Sequence, residues 1–198
     1  MTAVKIRKAT EADVSQLLPL MHELAEFERY ADAFAVTEEI LREQGFRRSP
    51  PDFYCLVAEE NGTLAGILVY YFVAFTYRAK PNLIVKELYV AESHRRKGVG
   101  NLLMKALAQQ AERAGCGVIK WWVAKWNTRG IEFYERLGAK SIPIGTNSKC
   151  PRKPFENWPS CSVIPSASRG IPPRKLKGNF IGIPRLHAGR RKELPRTR

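Results

Sequence analysis

The stretch Leu88-Tyr89-Val90-Ala91-Glu92-Ser93-His94-Arg95-Arg96-Lys97-Gly98-Val99-Gly100 runs from apolar residues into a basic, glycine-containing turn. If a strand ends near Val90 and a helix opens near Gly98, unpaired N–H groups and the positive end of a helix dipole point at one place. Such a place attracts anions. The glycines let the backbone approach a phosphate closely, and Arg95, Arg96 and Lys97 add positive charge. The chemistry this spacing could support is therefore phosphate binding. No G-K-[ST] follows, so a Walker P-loop is excluded, and no G-x-G-x-x-G supports a dinucleotide fingerprint. A solvated basic turn closed by glycine explains the loop alone equally well.

The elements that would position this loop can be read from periodicity. Val4 and Ile6 alternate with polar neighbours as a short strand would. Thr10 has the character of an N-cap, with acids in the first turn, and Val14, Leu17, Leu18, Met21, Leu24 and Ala25 follow at helical spacing. A shorter helix begins at Thr37 and is expected to stop at Gly45. Tyr54 to Ala58 is a buried strand, Asn61-Gly62 a hairpin turn, and Leu64 to Phe72 the returning strand. A loop over residues 73–83 leads to a strand from Leu83 to Val90. A helix from Gly98 to Ala114, a strand from Val118 to Val123 and a helix from Arg129 to Leu137, closed by Gly138, complete the regular part. The order β-α-α-β-β-β-α-β-α, with three strands able to form a meander, gives an α+β (α/β) class with a mixed, mostly antiparallel sheet.

Composition divides the 198 residues in two. Residues 1–140 hold 20 Lys/Arg against 17 Asp/Glu, whereas residues 141–198 hold 13 against 2 and contain nine of the 13 prolines. We expect one domain over 1–140 and a basic, Pro-rich, mostly irregular segment over 141–198. No run approaches the ~18 apolar residues that span a bilayer. No apolar signal-peptide core follows Met1, so the default location is cytoplasmic. Cys55, Cys116, Cys150 and Cys161 match no zinc spacing, no metal site is expected, and Cys55 reads as a buried thiol.

R-x-x-G-x-G after Glu87-Leu88-Tyr89-Val90 resembles the acetyl-CoA loop of the GNAT N-acetyltransferases. A second match follows in order: Ala124-Lys125-Trp126-Asn127, then Ile131-Glu132-Phe133-Tyr134-Glu135-Arg136-Leu137-Gly138-Ala139. Glu23-Leu24-Ala25-Glu26-Phe27-Glu28 and Cys55-Leu56-Val57-Ala58-Glu59 resemble the diamine (spermidine/spermine) acetyltransferases and their bacterial relatives. The resemblance covers roughly residues 3–140.

It implies that acetyl-CoA is the acetyl donor, that a small primary amine is the acceptor, and that the chain forms a homodimer. Leu88, Tyr89 and Val90 would contact the pantetheine arm, the Val90 N–H facing the thioester carbonyl. Arg95, Arg96, Lys97, Gly98, Val99, Gly100 and Asn101 would form the pyrophosphate loop, and Asn127, Thr128 and Arg129 would hold the cofactor from the next strand's end. Tyr134 would protonate the departing thiolate, since a phenol's pKa lies near that of a thiol. Glu87 would take the proton from the incoming ammonium. Phe27 and Glu28 match positions on the amine side, and Trp121 or Trp122 could wall an ammonium group, only one of the two facing inward.

The chain departs from that pattern at Lys86 and Lys125, which stand where the diamine enzymes carry acids, and Lys120 adds a cation on the strand of Lys125. Like charges repel a polyamine by about 1 kcal/mol each at exposed sites, which leaves a monoamine, an amino-acid side chain or a thialysine-like analogue open. After Gly138-Ala139 the strands that would complete the sheet are not recognisable. A basic extension able to bind nucleic acid and a terminus altered by a shifted reading frame both account for this. The second would leave an open sheet edge. Three functions compete: an amine acetyltransferase acting by direct attack, an acetyl-CoA-binding protein without turnover, and a nucleic-acid binder using the tail.

Overall fold

The computed structural model describes residues 3–74, 79–141 and 162–166. The tail other than residues 141 and 162–166, including Cys150 and Cys161, lies outside the described residues, as do residues 75–78 of the loop before the third meander strand. Among the described residues seven strands form one sheet, in the order β1-β2-β3-β4-β5-β7-β6. Strand β1 (Lys5–Lys8) pairs antiparallel with β2 (Tyr54–Glu60), and β2, β3 (Thr63–Val73) and β4 (Asn82–Val90) form the antiparallel meander. Asn61 (φ 52) and Gly62 (φ 79) make the left-handed turn between β2 and β3 that the Asn-Gly pair demands. Strand β5 (Val118–Ala124) then runs parallel to β4.

Two helical layers cover the sheet. Helix α1 (Val14–Phe27) and the short α2 (Glu38–Arg42) lie on one face, where Leu17, Met21, Leu24 and Leu41 pack against Val57, Ile67 and Tyr89. Helix α3 (Val99–Arg113) covers the other face, where Leu103, Met104 and Leu107 meet Leu68, Val85, Ile119 and Trp121. Each such side chain contributes about 1.5–3 kcal/mol of burial. Helix α4 (Thr128–Arg136) follows β5, and Tyr134 belongs to the core on the α3 side. The start of α1 is clamped by charge: Arg7 reaches both oxygens of Asp13 at 2.7 and 2.8 Å, and Asp13 also accepts from the Thr10 N–H at 2.7 Å.

Two expectations need correction. Gly45 does not stop the second helix: the chain passes from α2 into a π-helical turn, Glu43–Arg47, and Gly45 lies inside it. A Cβ there would come within 2.6 Å of the Phe53 ring, so this glycine serves close packing. The strand that completes the sheet, not recognisable in a tail expected to be mostly irregular, is β7 (Ser162–Ser166), which runs parallel to β5, from Lys120↔Ser162 to Ala124↔Ser166, and separates it from β6 (Lys140–Ser141). The edge of β5 is therefore covered. Val163 and Ile164, both β-branched, supply the strand propensity that the surrounding Pro and basic residues obscured.

Candidate active site

A β-bulge and a short parallel pairing create the site. Strand β4 shifts register between Val69↔Glu87 and Tyr70↔Val85, so Lys86 is the extra residue. Before the bulge, Leu83 and Val85 face α3; after it, Leu88 and Val90 do so, and Tyr89 faces α1. Without the inserted residue Glu87 would share the face of Leu83 and Val85. The bulge turns it to the α1 side instead. Strands β4 and β5 pair only from Asn82↔Val118 to Ile84↔Lys120. Beyond that point they part, and a cavity of about 960 Å³ opens between them.

The parting leaves β4 backbone groups facing the cavity. The Ala91 N–H donates to Ala65 on β3, so the N–H groups of Val90 and Leu88, alternate along the strand, point the other way into the cleft. Gly66 sits opposite Val90, and a Cβ on it would meet the Tyr89 carbonyl oxygen at 2.8 Å. Its lack of a side chain lets β3 press against this end of β4. Arg95 secures the same end: its Nε donates to the Val90 carbonyl at 3.0 Å and its Nη2 to the Tyr89 hydroxyl at 3.1 Å. Its guanidinium also lies over the Phe27 and Tyr89 rings.

Past Arg95 the chain makes the turn that the glycines require. Arg96 (φ 62) and Gly98 (φ 82) are left-handed, and α3 starts at Val99 with Gly98 as its N-cap. The first intrahelical bond runs from the Leu102 N–H to Gly98, so the N–H groups of Val99, Gly100 and Asn101 are left for a ligand. On the opposite wall Asn127 caps α4, its Oδ1 accepting from the Gly130 N–H at 2.9 Å. That bond occupies the Asn127 oxygen and leaves its amide NH₂ as the donor on this wall.

Glu87 and Tyr134 line the cavity from different layers. The Oε2 atom of Glu87 is buried and, among the described residues, has no hydrogen-bond partner. Burial pushes its pKa above the ordinary carboxylate value; the charge of Glu28 adds to this and that of Lys86 opposes it. Glu28, exposed on the cavity rim, is also raised, by desolvation among its neighbours and against the pull of Lys86. Tyr30 is held above its usual value by burial and then by Glu87 and Glu28, which places all three acids in one neighbourhood. Tyr134 is 9% exposed, with its ring 4.7 Å from that of Trp121 and 5.1 Å from that of Phe133. Trp121 is 1% exposed and faces α3, and its Nε1–H has no partner among the described residues. Trp122 is 43% exposed and, one residue on, faces the α1 side with Glu87 and Phe27.

Of the residues given a catalytic, cofactor-binding or amine-side role from sequence, all line this cavity except Lys97 and Thr128, and of the three lysines that depart from the diamine pattern only Lys86 does. Phe27 lines it at the end of α1 and touches Trp126, after β5, with ring centroids 5.5 Å apart. Sequence reasoning missed Tyr30, for which no local pattern signals a role. It also missed Gly66 and Gly130, whose roles depend on neighbours distant in sequence or on a cap. Cys55 and Cys116 are both buried, and burial pushes the Cys55 thiol up to about 12 and raises that of Cys116. Neither is an activated nucleophile. Among the described residues no group of His, Cys, Asp or Glu could hold a metal ion, and no helix is long and apolar enough to cross a membrane.

Comparison with known proteins follows the same geometry. A family model described as the acetyltransferase (GNAT) family matches residues 17–139. The thialysine N-epsilon-acetyltransferase of Sus scrofa is 33% identical over 150 residues, which cover 72% of this chain and 87% of that protein. The L-ornithine N5-acetyltransferase of Arabidopsis thaliana is 27% identical over 211 aligned positions, covering 84% and 87%. The solved ribosomal-protein-alanine N-acetyltransferase of Brucella melitensis shares the fold, with a TM-score of 0.57 at 23% identity over 76% of this chain and 99% of that one.

Proposed function

The chain belongs to the acetyltransferase (GNAT) family and acetylates amines, and we propose that its donor is acetyl-CoA and its acceptor a small primary amine entering on the α1 side of the β4–β5 cleft. The observation that carries this reading is Glu87, a buried carboxylate oxygen without a partner among the described residues, on a cavity that Tyr134 also lines. An orphaned buried acceptor costs about 1–3 kcal/mol, and an ammonium is the group it suits. The residues fit the donor as well: β4 offers the N–H groups of Leu88 and Val90 to an extended arm, and the free N–H groups of Val99, Gly100 and Asn101 suit a pyrophosphate.

Acetyl-CoA bound there supplies a thioester whose carbonyl carbon gains the amine nitrogen as its C–S bond breaks. Glu87 removes one proton from the acceptor's ammonium and so frees the nitrogen lone pair. Its raised pKa makes it a stronger base than an exposed carboxylate. The Val90 N–H donates to the carbonyl oxygen as that oxygen gains charge. Tyr134 gives its phenolic proton to the departing sulfur and recovers one from the nitrogen as the amide forms. The proton on Glu87 returns to water, so the products are an N-acetyl amide, free CoA thiol and one released proton. With both described cysteines buried and protonated, transfer is direct, and no acetyl group rests on the enzyme.

The test is free-thiol release from acetyl-CoA across a panel of primary amines, with wild type compared to Tyr134→Phe. Amine-dependent release that falls at least tenfold in the variant, about 1.4 kcal/mol of barrier, is the expected result. No release with any amine, in folded protein that binds CoA, would leave a cofactor-binding protein without turnover.

A further inference from the structure

The acceptor side of the cleft carries both signs of charge. Glu28 and Glu87 are the acids; Lys86 precedes Glu87 in sequence and lies near both acids, and Arg29 follows Glu28 in sequence. Lys86 is the bulge residue of β4. It lines the cavity, is exposed, and makes no ion pair among the described residues. Its charge nonetheless reaches both carboxylates, pulling each pKa down against the desolvation that raises it. Arg29 is also exposed and without an ion pair among the described residues. Its backbone is left-handed (φ 62), and its guanidinium lies 5.9 Å over the Trp126 ring.

A hydrated cation one residue from the proposed base has a consequence for the acceptor. A diamine that places one ammonium on Glu87 brings a second positive charge toward Lys86, and is repelled. An amino acid with a terminal amine brings its carboxylate to the same place, and is attracted. We infer that Lys86 binds the carboxylate of the acceptor, so that the enzyme selects a terminal amine borne by an amino acid over a polyamine. The inference rests on the reading of Glu87 as the group that meets the ammonium. Lys86 acts on binding and not on the proton transfers, so its removal raises KM for the amino acid more than it lowers kcat.

L-ornithine and putrescine test this directly, because putrescine is ornithine without its carboxylate and presents the same terminal amine. In wild type, kcat/KM is expected to favour L-ornithine at least tenfold. In Lys86→Glu the ratio should fall at least tenfold, with Lys86→Gln between. The ratio within each variant does not depend on how much of the protein is folded. Calorimetry with CoA present should show L-ornithine binding at least tenfold tighter than putrescine in wild type and losing that advantage in Lys86→Glu.

Equal or better use of putrescine by wild type would overturn the inference while leaving amine transfer intact, and so would a ratio unchanged in Lys86→Glu. Absence of thiol release with every amine would defeat the transfer reading. The calorimetric preference for L-ornithine, and its loss in Lys86→Glu, would then decide the carboxylate site alone.

Discussion

Replacing Glu87 with Gln keeps the shape of the side chain and removes the proton acceptor. General-base assistance is worth about 10²–10⁴ in rate, or about 3–5 kcal/mol of barrier, and a loss of that size is expected in kcat/KM at pH 7. The pH profile distinguishes a lost base from a disturbed pocket. Wild-type kcat/KM should rise with pH through the Glu87 pKa, which burial and Glu28 raise above the ordinary carboxylate value, and then level. The variant has no such limb. Its rate should follow the free-amine fraction, climbing about tenfold per pH unit toward the amine's own pKa near ~10. The deficit therefore shrinks in alkaline buffer.

Stability gives an independent check on the same substitution. A carboxyl whose folded pKa is raised contributes stability below its unfolded pKa and loses it as pH rises through the folded value. At pH 8 the ionised Glu87 is a cost to the native state, so Glu87→Gln should melt at the same temperature as wild type or higher. Thiol release measured from pH 6 to 9.5, with melting curves on the same samples, settles both points. A variant within threefold of wild type at pH 7, or one that retains the acid limb, would refute the role assigned to Glu87.

Asp13 has the opposite sign: Arg7 holds its pKa down from 3.8 to about 2, so its contribution of about 2 kcal/mol is present above pH 4 and lost between about 4 and 2. Urea unfolding should show Asp13→Asn less stable by that amount at pH 7 and insensitive to acid over that window. Gly98→Ala meets no atom within 4 Å but is forced to φ 82, at about 1–2 kcal/mol. It should weaken CoA binding severalfold by calorimetry, whereas Gly62→Ala, equally strained at φ 79 in the β2–β3 turn, should lower stability and leave CoA affinity unchanged. Arg95→Gln frees the Val90 carbonyl and the Tyr89 hydroxyl. Its kcat/KM should fall for every amine alike, with the L-ornithine to putrescine ratio preserved.

Periodicity and turn chemistry placed most of the regular elements because they are local properties. The Asn61-Gly62 turn, the α3 stripe of Leu103 and Leu107, and the glycine that opens α3 all read from neighbours within a few residues. The loop from Arg95 to Gly100 was legible for the same reason. What the sequence did not disclose depends on pairing between distant segments. The bulge at Lys86 exists only in register with Val69 and Tyr70, yet it sends Glu87 to the α1 side while Leu88 and Val90 pack toward α3. Tyr30 joins the acids through tertiary approach. Arg95 reads from sequence as one more cation for a phosphate, and the fold turns its guanidinium back on β4. The second helix ran past Gly45 because a ring packs where a Cβ would be, a contact with Phe53 that no helix-stop rule contains.

An initial-velocity grid of acetyl-CoA against L-ornithine, read as thiol release with the acetylated product identified by mass, tests the central claim most directly. Direct transfer between two bound substrates predicts intersecting double-reciprocal lines, one N-acetyl product per thiol, and no acetyl group on the protein when amine is withheld. Parallel lines with an acetylated enzyme, or thiol release that does not depend on amine, would contradict it.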